Sequence, residues 1–165
     1  MAHKLEDIIM QVEKTHPNLG RLVAFELLAV HAQKCVLVVA PAGTGKSTAS
    51  NIVAATMPPS MMLDSVTRSG MAKMDQEFNW FRGVVIIDDL GKVDTNYSRH
   101  STITTFAELC YSHFIEKHTI STHLSIQNFR GSAVLNIQPP ILANVIGASD
   151  WEAETMDKTI RYYHL

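Results

Sequence analysis

Apolar residues fall along this chain in short blocks whose period switches between that of a helix and that of a strand. Leu5, Ile8, Ile9 and Val12 recur at helical spacing, and that run, Leu5 to Lys14, stops before Pro17. A second helix is predicted from Leu19 to Gln33. The continuous apolar block Cys35 to Val39 reads as a strand, and Thr48 to Thr56 as a helix broken by Pro58 and Pro59. Met61 to Val66 reads as the second strand, and Ser69 to Phe78 as a short helix or loop. Val84 to Ile87, all β-branched, predicts a strand buried on both faces. Ser101 to Lys117 reads as a helix with Ile103, Phe106, Ala107, Cys110 and Phe114 as its apolar stripe. A polar stretch with hairpin character, Thr119 to Gly131, leads to a fourth strand, Ala133 to Ile137. A last helix is expected around Trp151 to Asp157, then a fifth strand from Thr159 to His164.

This alternation predicts an α/β fold, a parallel five-stranded sheet flanked by helices in three layers. Residues 1–34 are expected to pack as N-terminal helices on a core of residues 35–165, the whole forming a single domain. With 165 residues, 46% hydrophobic and 18% charged, the chain has apolar material for one buried core. Its apolar runs are too short to span a bilayer, and the N-terminus lacks the charged-then-apolar order of a signal peptide. Cys35 and Cys110 fall on predicted buried elements, as reduced small hydrophobes do, so a cytoplasmic location without membrane contact is expected. A net charge of −2 leaves no broad electrostatic footprint for nucleic acid, and any such contact has to be local. The five-residue spacing of His113, His118 and His123 suits no helical face, and surface histidines rather than a zinc site are expected there.

Two segments carry chemistry. Ala40, Pro41, Ala42, Gly43, Thr44, Gly45, Lys46 and Ser47 meet the P-loop pattern except at its leading position, where alanine replaces glycine. Gly43 and Gly45 let amide N–H groups turn inward around phosphate oxygens. Lys46 adds a point charge at the β and γ phosphates of ATP, Ser47 offers a hydroxyl to Mg2+, and Thr48 opens a helix whose positive end faces the same anion. Asp88 and Asp89 end the Val84 strand, where ligands bind in open parallel sheets. In the Walker B reading Asp88 holds the magnesium through water, and Asp89 polarises the attacking water.

With a strand between these two segments and a polar-ended strand after them, the chain resembles the additional-strand P-loop ATPases, particularly the AAA+ family. Ile86-Ile87-Asp88-Asp89-Leu90-Gly91 is similar to the corresponding segment of the DnaC and IstB helicase loaders and, more distantly, DnaA. The resemblance covers about residues 35–165, and its specific motifs are the two Walker segments. It implies a polar residue at the end of the fourth strand that contacts the γ-phosphate and the water, with Gln138 the first positional match and Asn136 the second. It also implies a cation supplied to a neighbouring subunit near the fifth strand, for which Lys158 and Arg161 are candidates, with Arg99 and Arg130 in loops as further ones. AAA+ proteins continue into a helical lid, whereas this sequence stops after the fifth strand, which implies a minimal ATPase without a lid domain or the core of a longer protein.

The expected function is that of a Mg-dependent ATPase working as a homo-oligomer, a hexamer being one form, on nucleic acid or a nucleoprotein partner, as a helicase, helicase loader or packaging motor. Phe78, Trp80 or Phe81 with Lys73 or Arg82 offers base stacking and phosphate contact, although Trp80 and Phe81 also suit the core beneath the third strand. The loop Gln127 to Gly131, with Phe129 and Arg130, is a second contact. The rival is a small-molecule or nucleotide kinase, for which Asp64, Arg68 and Arg99 are the available acceptor groups. A nucleotide-gated interaction module that does not hydrolyse ATP is a third reading.

Overall fold

The computed structural model of the chain describes residues 5–118, 123–147, 151 and 155–165. In chain order its strands are β1 Cys35–Val39, β2 Ser60–Leu63, β3 Val84–Ile87, β4 Ile115–His118, β5 His123–Ile126, β6 Ser132–Ile137 and β7 Thr159–Tyr163. The helices are α1 Leu5–Thr15, α2 Gly20–His31, α3 Lys46–Thr56, α4 Arg68–Lys73, α5 Asp75–Phe78, α6 Asn96–Ser112 and α7 Pro139–Ile146, with a 3-10 turn at Leu90–Lys92. Five strands form one parallel sheet in the order β2-β3-β6-β1-β7, while β4 and β5 pair as a separate antiparallel hairpin.

Alternation along the strands divides the core into two layers around the sheet. Val36, Val38, Val84, Ile86 and Val134 face Leu22 and Val23 of α2 and Ala49 and Val53 of α3. Leu37, Val39, Val85, Ile87, Leu135 and Ile137 face Ile103, Phe106 and Leu109 of α6, Leu142 of α7, and Met71 and Phe78. Both faces are covered, which explains why these strands are apolar throughout rather than alternating. Burial of each large side chain contributes about 1.5–3 kcal/mol relative to exposure.

Helix α2 belongs to this core, whereas α1 has no fully buried residue and lies along α2. The turn between them is fixed by Glu13, whose carboxylate accepts the N–H groups of Asn18 at 2.7 Å and Gly20 at 2.8 Å.

Several boundaries differ from the sequence expectation. Helix α6 begins at Asn96 rather than Ser101, because the Thr95 hydroxyl accepts the Ser98 N–H at 3.1 Å and caps an earlier start. It ends at Ser112 instead of Lys117, with His113 in the left-handed region at φ 66°, which leaves Phe114 off the buried stripe and more than half exposed. Ile115–His118 is consequently a strand, and the hairpin starts before the polar stretch at 119, of which residues 119–122 lie outside the described residues. Pro139 and Pro140 open α7 rather than merely ending β6, since a missing N–H costs nothing in a first helical turn. β2 stops at Leu63, short of Val66. Of the helix expected near Trp151, residues 152–154 lie outside the described residues, and Trp151 itself is buried.

Among the described residues no helix is long and apolar enough to cross a membrane. Cys35 and Cys110 are free and buried, and the hydrogen bond of the Cys35 thiol with Cys110, together with burial, pushes that thiol well above its usual range.

Candidate functional site

The site begins where β1 leaves the sheet. Ala40 is fully buried, and its N–H still donates to Ile137 O at 3.1 Å, so the position of the missing glycine is simply a strand end. Gly43 and Gly45 then take φ values of 79° and 88°, and a Cβ at Gly45 would also fall 2.8 Å from Leu19 Cδ2. The left-handed backbone therefore favours glycine at Gly45, and a larger residue would also have to displace the end of the Leu19 side chain. Lys46 heads α3 and folds its Nζ back onto Ala40 O at 2.7 Å and Pro41 O at 2.6 Å. Burial lowers its pKa, opposed by the charges of Asp89 and Asp88. An anion entering the loop competes with those two carbonyls for the ammonium, while the N-terminus of α3 presents unpaired N–H groups to it.

Because β3 runs parallel to β6 and β6 to β1, Asp88 and Asp89 emerge at the same end of the sheet as the glycine loop. Asp88 Oδ1 is buried without a hydrogen-bond partner, and its Oδ2 lies 3.8 Å from Lys92 Nζ. Asp89 Oδ1 accepts the Gly91 N–H at 2.7 Å, and Oδ2 faces Gln138 Nε2 at 3.4 Å. Arg99 of α6 braces this turn from behind, with Nε donating to Leu90 O at 3.1 Å and Nη2 to Gly91 O at 3.3 Å. Ala42, Gly43, Gly45, Lys46, Ser47 and Thr48 of the loop meet Asp88, Asp89, Lys92 and Gln138 around one cavity of about 390 Å³. An orphaned carboxylate oxygen of Asp88 and the Ser47 hydroxyl, on residues that line the same cavity, are a donor set suited to a hard dication such as Mg2+.

Of the two candidates at the end of β6, only Gln138 joins this cavity. Asn136 is fully buried within β6, where its Nδ2 donates to Ser50 Oγ of α3 at 3.1 Å. Only Ile137 separates them, but Gln138 lies past the end of β6 as the N-cap position of α7, and its side chain reaches Asp89. Beside Asn136 lies Glu26 of α2, whose carboxyl is pushed up to about 8 by burial, with the Ser50 hydroxyl opposing the shift.

Lys158 and Arg161 do not join the cavity of their own chain. β7 runs parallel to β1 with Thr159 opposite Cys35 and Tyr163 opposite Val39, so Lys158 sits at the far end of the sheet and Arg161 midway, beside Leu37. Lys158 Nζ lies 5.8 Å from the centroid of the Tyr111 ring. Arg99 is helical rather than in a loop and is engaged with backbone carbonyls; Arg130 is exposed.

The aromatic residues near β3 are arranged otherwise than expected. Phe78 and Phe129 are fully buried, and Phe81 stacks on Phe129 with ring centroids 5.8 Å apart. Trp80 is instead 66% exposed, at a left-handed turn of φ 62° whose N–H donates to Gln127 O. The turn gives the tryptophan to solvent while its neighbours on either side fill the core.

Two residues of the site escaped sequence reasoning. Lys92 bridges Asp64 at 2.7 Å and Asp88 at 3.8 Å, and the hydrogen bond to Asp64, helped by the charges of Asp64, Asp88 and Asp89, raises its pKa. Lys46 is thus not the chain's sole cation at the cavity; the i,i+4 spacing of Asp88 and Lys92 was the available signal. His164 is buried, and its Nε2 donates to Thr44 O at 3.2 Å, which ties β7 to the glycine loop. That contact joins positions 120 residues apart, beyond any local pattern. His164 also lines a second cavity of about 500 Å³, with Arg21 and Tyr162 among its other walls.

A scan against protein-family models finds no match to this chain, and a search of curated proteins finds none either.

Proposed function

We propose that this chain binds ATP with magnesium and hydrolyses it, working as a homo-oligomer on nucleic acid. The observation that carries this reading is the convergence, in one cavity, of the glycine loop, Lys46 and Ser47 at the head of α3, and the unpartnered Asp88 oxygen. The position of β6 between β1 and β3 supports the resemblance to additional-strand ATPases of AAA+ type.

In this reading the loop N–H groups and Lys46, once released from its own carbonyls, hold the β and γ phosphates. Ser47 and Asp88 hold Mg2+, which neutralises charge on the phosphate oxygens when bound. Asp89, pinned through one oxygen by Gly91, turns the other toward the attacking water together with Gln138. The nucleoside end is assigned to the side of the loop that His164 joins to the cavity lined by Tyr162 and Arg21. Lys158 and Arg161, being remote from their own cavity, serve a neighbouring subunit. Contact with single-stranded nucleic acid falls to exposed Trp80 with Arg82 and Arg130, since Phe78 and Phe129 are committed to the core. A helicase, loader or packaging motor in the cytoplasm fits this set.

The kinase reading is less well supported. Asp64 is paired with Lys92 and Arg99 is engaged with backbone, which leaves few groups to bind an acceptor. ATP turnover with and without single-stranded DNA, measured alongside mass in solution, separates the two. Mg-dependent turnover by an oligomer, stimulated by DNA, is expected, whereas phosphate transfer to a small acceptor by a monomer would replace this reading with the kinase.

A further inference from the structure

We propose that Glu116, His118 and His123 form a binding site for a zinc-like divalent cation on the outer face of the β4–β5 hairpin. The hairpin register sets His118 directly opposite His123, and Glu116, two residues before His118, projects from the same face. The other face is committed to the core through Ile115, Leu124 and Ile126, all buried. A slip of one residue would expose those three side chains, so the core itself holds the carboxylate and the two imidazoles on the outside.

The three groups stand near enough to share one ion. The two imidazole rings lie nearly parallel at 15° with centroids 4.1 Å apart, and His118 Nε2 is 3.4 Å from Glu116 Oε1. One ligand atom from each residue lies within 4.8 Å of the other two. Zinc bonds to nitrogen and oxygen of about 2.0–2.2 Å place tetrahedral ligands roughly 3.3–3.6 Å apart. All three side chains are exposed, and their own torsions are the means by which they would turn toward one ion. Two imidazoles with one carboxylate favour borderline dications over magnesium, and three protein ligands leave a fourth position for water.

A five-residue spacing that serves no helix is thus the spacing of a cross-strand pair in this hairpin. His113 stands apart from it, ending α6 with its carbonyl accepting the Phe129 N–H at 2.9 Å. Such an ion would fasten the far end of a two-stranded ribbon, a structure marginal by itself, whose strand β5 packs on α4 and α5. The site shares no residue with the cavity at the glycine loop and stands whatever that cavity binds.

The test is calorimetric titration of the full chain, free of any histidine tag, with ZnCl2, and with CoCl2 as a spectroscopic probe of four-coordinate geometry. One zinc per chain is expected, unaffected by excess MgCl2 and retained in Asp88→Asn and His113→Ala. Loss of a direct ligand costs at least as much as loss of an outer partner, so His118→Ala and His123→Ala should each weaken binding by about a hundredfold. Being surface changes, they leave the metal-free melting temperature unaltered. No saturable zinc uptake, or uptake unchanged in both histidine variants, would overturn the proposal.

Discussion

Gln138 Nε2 lies 3.4 Å from Asp89 Oδ2, so the end of β6 and the end of β3 meet over one carboxylate. With Oδ1 held by the Gly91 N–H, Asp89 is oriented from both sides, while Asp88 keeps an oxygen without any partner. Adjacent residues of the same type are therefore placed for different work.

Asp88→Asn is expected to weaken magnesium and nucleotide binding together. Asp89→Asn is expected to keep ATP bound while slowing hydrolysis by about two orders of magnitude or more. Equilibrium binding and phosphate release, measured on both variants, check the division. Wild-type turnover in Asp89→Asn would move the water-orienting role elsewhere.

Lys92 places a positive charge beside the carboxylate assigned to the metal. Like charges repel, and Lys92→Met should lower the magnesium concentration needed for half-maximal nucleotide binding by several-fold, less so at high salt. An unchanged or raised magnesium requirement would show that Lys92 does not compete at Asp88.

Glu26 gives a pH dependence of stability. Its carboxyl is pushed from 4.5 up to about 8, so the folded chain retains a proton that the unfolded chain releases. This group's contribution is fully present below pH 4.5 and is lost as the pH rises toward about 8, at up to roughly 1.4 kcal/mol per unit. Glu26→Gln should flatten that decline and stabilise the protein at neutral pH, in urea unfolding at stepped pH. A variant less stable than the parent at pH values near 8 would contradict the account.

Much of this architecture was legible because its causes are local. Cys35–Val39 and Val84–Ile87 are strands as their unbroken apolar runs require, and the glycine loop sits where its spacing places it. The errors arose where the cause was a cap or a register. A hydroxyl at Thr95 and a left-handed His113 set the limits of α6, and neither alters hydrophobic periodicity. Position along the chain put Gln138 ahead of Asn136, but only the folded chain brings the Gln138 side chain to Asp89 and packs Asn136 against Ser50. His164 met Thr44 through pairing of β7 with β1, a contact no short window contains.

The proposed assembly gives Lys158 and Arg161, which lie away from their own cavity, a place in a neighbouring subunit's site. Specific ATPase activity should rise with protein concentration. Mixing Asp89→Asn chains with Arg161→Ala or Lys158→Ala chains should partly restore turnover, because one mixed interface then holds an intact carboxylate and an intact cation. Activity per chain that is constant from dilute monomer upward would remove the trans-acting cation.

The central claim is tested most directly by measuring Mg·ATP affinity and phosphate release on the wild-type chain and on Lys46→Ala, with the fold of each verified by circular dichroism. Lys46 supplies the ammonium inside the glycine loop, so the wild-type chain should bind and turn over ATP while Lys46→Ala loses most of its affinity. Equal nucleotide affinity in a folded Lys46→Ala protein, or a wild-type chain that neither binds nor hydrolyses ATP, would contradict it.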